Sequence, residues 1–171
     1  QEVFVDVKKT LVTNPVSVNV TPLPPDKPES FTGAVGSFTF RSNLNAQEVK
    51  ANEPVALTLE ISGTGNLKLI QNPKVEFPSN FEVYDPVVKN ELQITTNGLT
   101  GTRKIEYLAI PRYEGNYVIP PVEFSYFDLK SRSYKTLKSP QYTIEVAKGD
   151  PVKTTASSYV NQQEVKVEDD I

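Results

Sequence analysis

Between Val55 and Ile61 every second residue is a large apolar one, Val55, Leu57, Leu59 and Ile61, with Thr58 and Glu60 among those between. A period of two puts alternate side chains on opposite faces, so this run predicts a strand with one face in a core. The same period recurs at Phe38 and Phe40 within 37–44, and at Tyr117 and Ile119. It continues at Val122, Phe124 and Tyr126 beyond Pro120-Pro121, and at Ile144 and Val146. Phe81 and Val83, then Val87, Val88, Leu92 and Ile94, open further strands, and 103–110 reads as the strand returning from a longer loop that holds Asn97-Gly98 and Gly101. Turn residues punctuate these runs. Val49-Lys-Ala-Asn-Glu-Pro54 and Glu114-Gly-Asn116 read as turns, Ser62-Gly-Thr-Gly-Asn66 as a loop ending the Val55 strand, Asn72–Pro78 as a short edge strand bounded by prolines, and Asp128–Ser133 as a polar hairpin tip. The pattern predicts an all-β fold, an immunoglobulin-like β-sandwich of roughly seven to nine strands over 37–147.

The flanks have a different character. Val3, Val5 and Val7, then Val16, Val18 and Val20, alternate as strands do, but two strands alone make no stable core in water. Residues 1–20 therefore read as the closing strands of a preceding, truncated second β-domain. Residues 21–36 read as a Pro/Gly-containing linker, in which Pro22, Pro24, Pro25 and Pro28 favour a stiff, extended chain. Residues 148–171 read as a polar linker leading toward a membrane segment that lies outside this sequence.

Composition removes most chemistries. The 171 residues contain 14 Pro and 8 Gly, a balance that suits short strands and stiff connectors. A net charge of −3 supplies no clustered positive surface for nucleic acid. There is no Cys, His, Met or Trp, which excludes disulfides, thiolate nucleophiles and imidazole ligands.

The remaining candidates each have a plainer explanation. Glu106 and Glu123, placed on neighbouring strands, could form a carboxylate pair for acid/base hydrolysis, yet exposed strand carboxylates are usually solvated. Gly33 and Gly36 could cradle a phosphate, but no helix pattern follows, so a turn is preferred. Asn19-Val20-Thr21 fits a glycosylation triplet of the kind that arises by chance. The linker prolines could be a ligand for an aromatic groove, although a spacer is the commoner use. The acidic run from Glu164 to Asp170 lacks the regular oxygen spacing of a calcium loop. No catalytic, cofactor-binding or metal-ligating residue is assigned, and no cofactor is expected.

Several stretches taken in order resemble the BatD family of oxygen-tolerance proteins, named after Bacteroides aerotolerance. They are Thr13-Asn-Pro-Val-Ser-Val-Asn-Val20 with the Pro-rich linker, Phe31-Thr-Gly-Ala-Val-Gly36, Asn52-Glu-Pro-Val55, Ile61-Ser-Gly-Thr-Gly-Asn-Leu67, Phe81-Glu-Val-Tyr-Asp-Pro86 and Ile119-Pro-Pro-Val-Glu-Phe-Ser-Tyr-Phe127. The resemblance implies tandem immunoglobulin-like sandwiches in the periplasm, anchored by a C-terminal membrane helix. It also implies work beside von Willebrand-type domain Bat proteins and a MoxR-like ATPase. It brings no catalytic residues with it. The function expected is that of a non-catalytic interaction scaffold presenting sandwich edges and loops; the alternative is a glycan-binding module, which would need Tyr exposed on one flat face. Because no oxygen-ligand loop is expected, millimolar calcium should leave the melting temperature unchanged; a rise reversed by chelator would overturn that reading.

Overall fold

In the computed structural model, which describes residues 3–150, the alternating runs become ten strands. They are β1 (Phe31–Leu44), β2 (Glu48–Lys50), β3 (Val55–Gly65), β4 (Phe81–Val83), β5 (Val87–Thr95), β6 (Gly98–Pro111), β7 (Gly115–Ile119), β8 (Glu123–Asp128), β9 (Ser133–Lys138) and β10 (Tyr142–Ala147). One 3-10 turn, Leu67–Leu69, is the sole helical element among the described residues. A seven-stranded sheet runs β4-β6-β3-β1-β8-β9, with β5 following β4 along the outer side of β6, and a three-stranded sheet runs β2-β10-β7. Aromatic side chains join the layers: Phe81 of β4 meets Tyr117 of β7 edge-on at 5.1 Å, and the Ser42 hydroxyl on β1 bonds the Tyr142 hydroxyl on β10 at 2.7 Å. The fold is an all-β sandwich, as the periodicity predicts.

The core side chains are those the alternation selects. Val55, Leu57, Leu59, Ile61, Ile105, Ile119, Phe124 and Ile144 are fully buried, and Val122 and Tyr126 nearly so. Tyr117 is half-buried and packs against this cluster. Strand β8 departs from simple alternation because Ser125 and Phe127, on its opposite face, are buried as well. Ser125 is enclosed by hydroxyls, bonding Ser30 and Thr136 at 2.6 Å each.

Several boundaries differ from expectation, each for a physical reason. The first strand starts at Phe31, inside the expected linker, because Phe31–Val35 pairs in parallel with β8 before Gly36–Leu44 pairs antiparallel with β3. The register shifts between Phe31 and Ala34, around Gly33 at φ 91°, a positive-φ residue at an irregularity that glycine tolerates. Strand β3 does not end at Ser62 but runs to Gly65, since its glycines allow close pairing: a Cβ on Gly63 would lie 2.1 Å from the Ser37 carbonyl oxygen. Asn72–Pro78 is not a strand. Its prolines cannot donate to a ladder, and it is held by side chains instead, with Tyr107 donating to the Pro73 carbonyl at 2.7 Å and Phe77 packed on Phe81.

The loop expected around Asn97-Gly98 is a two-residue turn, so β6 begins at Gly98 and pairs with β5 from end to end. Ile94, on the same parity as the half-buried Leu92, is 91% exposed because it lies at the hairpin end, past the apolar layer. Ten strands exceed the expected range partly because Val49 and Lys50, expected in a turn, belong to β2, which pairs with β10 but at three residues is too short to show a period. Residues 3–20 carry no strand and are exposed throughout. A strand needs a neighbour for its N–H and C=O groups, and no described strand pairs with this segment. The acidic stretch from Glu164 and most of 148–171 lie outside the described residues.

Phe124 has no exposed surface and stacks among Phe38, Phe40 and Tyr126. Phe124→Ala should cost about 3–5 kcal/mol in a urea titration; a loss below about 1 kcal/mol would contradict its place between the sheets.

Candidate functional site

The suspected carboxylate pair is not a pair. Glu106 is exposed on β6 and Glu123 on β8, and β3 and β1 lie between those strands. At about 4.8 Å per strand, three spacings separate them by roughly 14 Å, too far to flank one glycosidic bond. Only the placing of the two carboxylates on neighbouring strands is corrected, because strands close in the chain need not be neighbours in a sheet; both side chains are exposed. Glu123 is engaged elsewhere, in a 2.6 Å ion pair with Lys138.

Gly36 serves backbone pairing, since a Cβ there would stand 2.2 Å from the Thr64 carbonyl oxygen, whereas Gly33 sits in the register shift, where a Cβ would meet nothing within 4 Å. Tyr107, Tyr126 and Tyr142 are buried, while the exposed Tyr84 and Tyr113 sit in separate connections, so the described residues form no flat tyrosine face. An open cleft of about 370 Å³ beside Thr32, Asn72 and Pro121 also meets Glu29, Glu76 and Glu123, of which Glu76 and Glu123 are ion-paired with Lys74 and Lys138. No group of three potential metal ligands occurs among the described residues.

What the surface does offer is an open strand edge. Strand β5, nine residues long, pairs only with β6 among the described strands. Thr95 and Gly98 flank the two-residue turn as the hydrogen-bonded pair of such hairpins, so the alternate residues Val88, Asn90, Leu92 and Ile94 turn their backbone groups outward. Exposed apolar side chains lie along this side, Val83 on β4 and Tyr84 just after it, with Val87 and Ile94 toward opposite ends and on opposite faces of β5. Sequence periodicity finds the strand but not the edge, because edge position depends on what lies alongside.

One end of this edge is ordered by a polar network. Arg112 is ion-paired with Glu82 and donates to Asn52 Oδ1 at 3.0 Å, while the Tyr84 hydroxyl donates to Glu82 Oε1 at 2.8 Å. The Arg112 hydrogen bond, seconded by that of Tyr84, holds the Glu82 carboxyl below its ordinary range. Asn52 is itself in the left-handed region at φ 72°, a conformation asparagine tolerates better than most residues.

The expected polar hairpin tip between β8 and β9 is built around Asp128. Its carboxylate accepts from Lys135 Nζ at 2.5 Å, from Ser131 Oγ at 2.9 Å and from the Lys130 amide at 3.2 Å. Lys135 first, then Ser131, lowers the Asp128 pKa from 3.8 to about 2. A depressed carboxyl pKa contributes stability above the unfolded value and loses it as pH falls through the folded one. The stability gap between the parent and Asp128→Asn should therefore be full above about pH 4 and close toward pH 2 in urea titrations; a gap independent of pH would show that the charge is immaterial.

Comparison with known proteins gives one finding of substance. The family model described as "BatD DUF11 like domain" matches residues 42–146, which takes in the sandwich from the last three residues of β1 to β10. No curated protein and no solved structure matches the chain.

Proposed function

Because the chain belongs to the BatD family, we propose that it is a non-catalytic interaction module of an oxygen-tolerance protein, set in the periplasm and anchored to the membrane in the full-length protein. Its partners are the von Willebrand-type domain proteins of a Bat-type envelope complex, linked with a MoxR-like ATPase system. Residues 3–20 belong to a preceding β-domain in this reading, and the sandwich is one unit of a string of domains.

The observation that carries the proposal is the β5 edge. An open edge can accept an extended segment of a partner as a further strand, with main-chain hydrogen bonds supplying affinity and alternate side chains supplying specificity. Val87 is 56% and Ile94 is 91% exposed, so each could gain from being covered by such a strand. Lys89 and Glu91 between them place charges on the strand, which discourages indiscriminate edge-to-edge pairing.

Co-purification of the full-length, membrane-anchored protein tests the reading. The parent should bring von Willebrand-type domain partners with it. Val87→Lys combined with Ile94→Lys should reduce recovery about tenfold or more, with stability changed by less than about 0.5 kcal/mol because both sites are on the surface. Unchanged recovery would move the interaction away from this edge, and absence of any protein partner would overturn the proposal.

A further inference from the structure

Proline content alone makes the 21–28 segment stiff. It does not fix the segment to anything. The structure supplies an attachment at Tyr134 on β9, whose hydroxyl donates to the Pro24 carbonyl at 2.8 Å across 110 positions of sequence. The Tyr134 ring is held edge-on by Phe31 at 5.1 Å and by Phe127 at 5.2 Å. Phe127 is 7% exposed although it lies on the face of β8 opposite Phe124, so these rings form a small apolar cluster outside the main core. The linker caps it. Leu23 and Pro28 are half-buried, Lys27 Nζ stands 6.0 Å from the Phe31 ring centre, and the Lys27 and Phe31 amides donate to the Pro25 and Pro28 carbonyls.

Each part suits a seat for a proline segment. A proline-rich chain has few backbone donors but free carbonyls, so it is gripped by donating to it, and the phenol is a donor. Burial, followed by the nearby Asp26 charge, raises the Tyr134 pKa, which keeps that proton in place. The proline segment in turn presents little main-chain donor capacity near β9, the edge of the seven-stranded sheet opposite β5.

We propose that Tyr134, supported by Phe31 and Phe127, is a latch that seats the Pro22–Pro28 segment against β9, so that the chain ahead of it leaves the sandwich in one fixed direction. The joint is then rigid at its root and is not a free hinge. Its use in spacing domains rests on the scaffold reading above, but the latch itself is tested without any partner.

The test is amide relaxation in the whole chain, read at Leu23, Asp26 and Lys27. In the parent these amides should have order parameters like those of β9, about 0.85, and in Tyr134→Ala they should fall below about 0.6. Lys135 to Lys138 report whether β9 itself survives. If Tyr134→Ala loosens β9 too, Tyr134→Phe decides: a drop at Leu23 with β9 unchanged sustains the latch, and no drop overturns it. Linker amides already below about 0.6 in the parent, or still near 0.85 in Tyr134→Ala with β9 intact, would also overturn it. A rigid linker with no partner recovered would sink the scaffold reading alone; a loose linker with partners recovered would sink the latch alone.

Discussion

The sandwich depends on how closely β1 and β3 can approach around the ring of Phe38. Gly36 and Gly65 face one another in the register, and Gly63 faces Phe38. A Cβ on Gly65 would stand 2.6 Å from the tip of the Phe38 ring and 2.3 Å from the Val35 carbonyl oxygen. With those positions empty of side chains, the ring turns inward to meet Phe124 at 6.1 Å and Tyr126 at 5.5 Å. Edge-on aromatic contacts of this kind add about 0.5–1.5 kcal/mol each to the burial of the rings themselves. The same strand that carries Phe38 pairs with β8 on its other side through Phe31–Val35, so β1 ties the two halves of the large sheet together. Filling any of those glycine sites would force apart the strands on which both pairings rely.

This explains which parts of the fold are legible in the sequence. Alternation in 55–61 is a direct imprint of one buried and one more open face, and in 122–126 the structure buries the residues it selects although Ser125 on the other face is buried as well. Glycine is ambiguous in the same sequence. Gly63 and Gly65 look like the end of a strand because glycine is common in loops, but here their lack of a side chain lets a strand continue against its neighbour. The stretch 72–78 shows the converse, since alternating Val75 and Phe77 between two prolines have the pattern of a strand but pair with no described strand. Val3 to Val20 has both the pattern and the donors, and lacks only a neighbour.

The candidate site was less legible than the fold, because an interaction edge is a property of absence beside a strand. Nothing in Val87–Thr95 distinguishes an outer strand from an inner one except Lys89 and Glu91, and β6, which is interior, also carries Lys104 and Glu106. Strand order decides the matter, and strand order comes from the parallel crossing of β1 to β8, which no local pattern announces. The same crossing puts two strands between Glu106 and Glu123. One topological fact thus removed the carboxylate pair and left β5 on the outside.

The two ends of the large sheet are treated differently by the chain. At the β9 end Lys135 is drawn to Asp128 and Lys138 to Glu123, and Tyr134 bonds a carbonyl of the proline segment; charge and proline are both means by which sheets discourage further pairing. At the β5 end the exposed residues include Val87 and Ile94 beside Lys89 and Glu91, the Arg112–Glu82 ion pair lies at the β4 end, and no described strand pairs on the outer side of β5. In the reading proposed above, a strand added at β5 would lengthen the sheet at the end opposite β9, away from the linker seated on Tyr134.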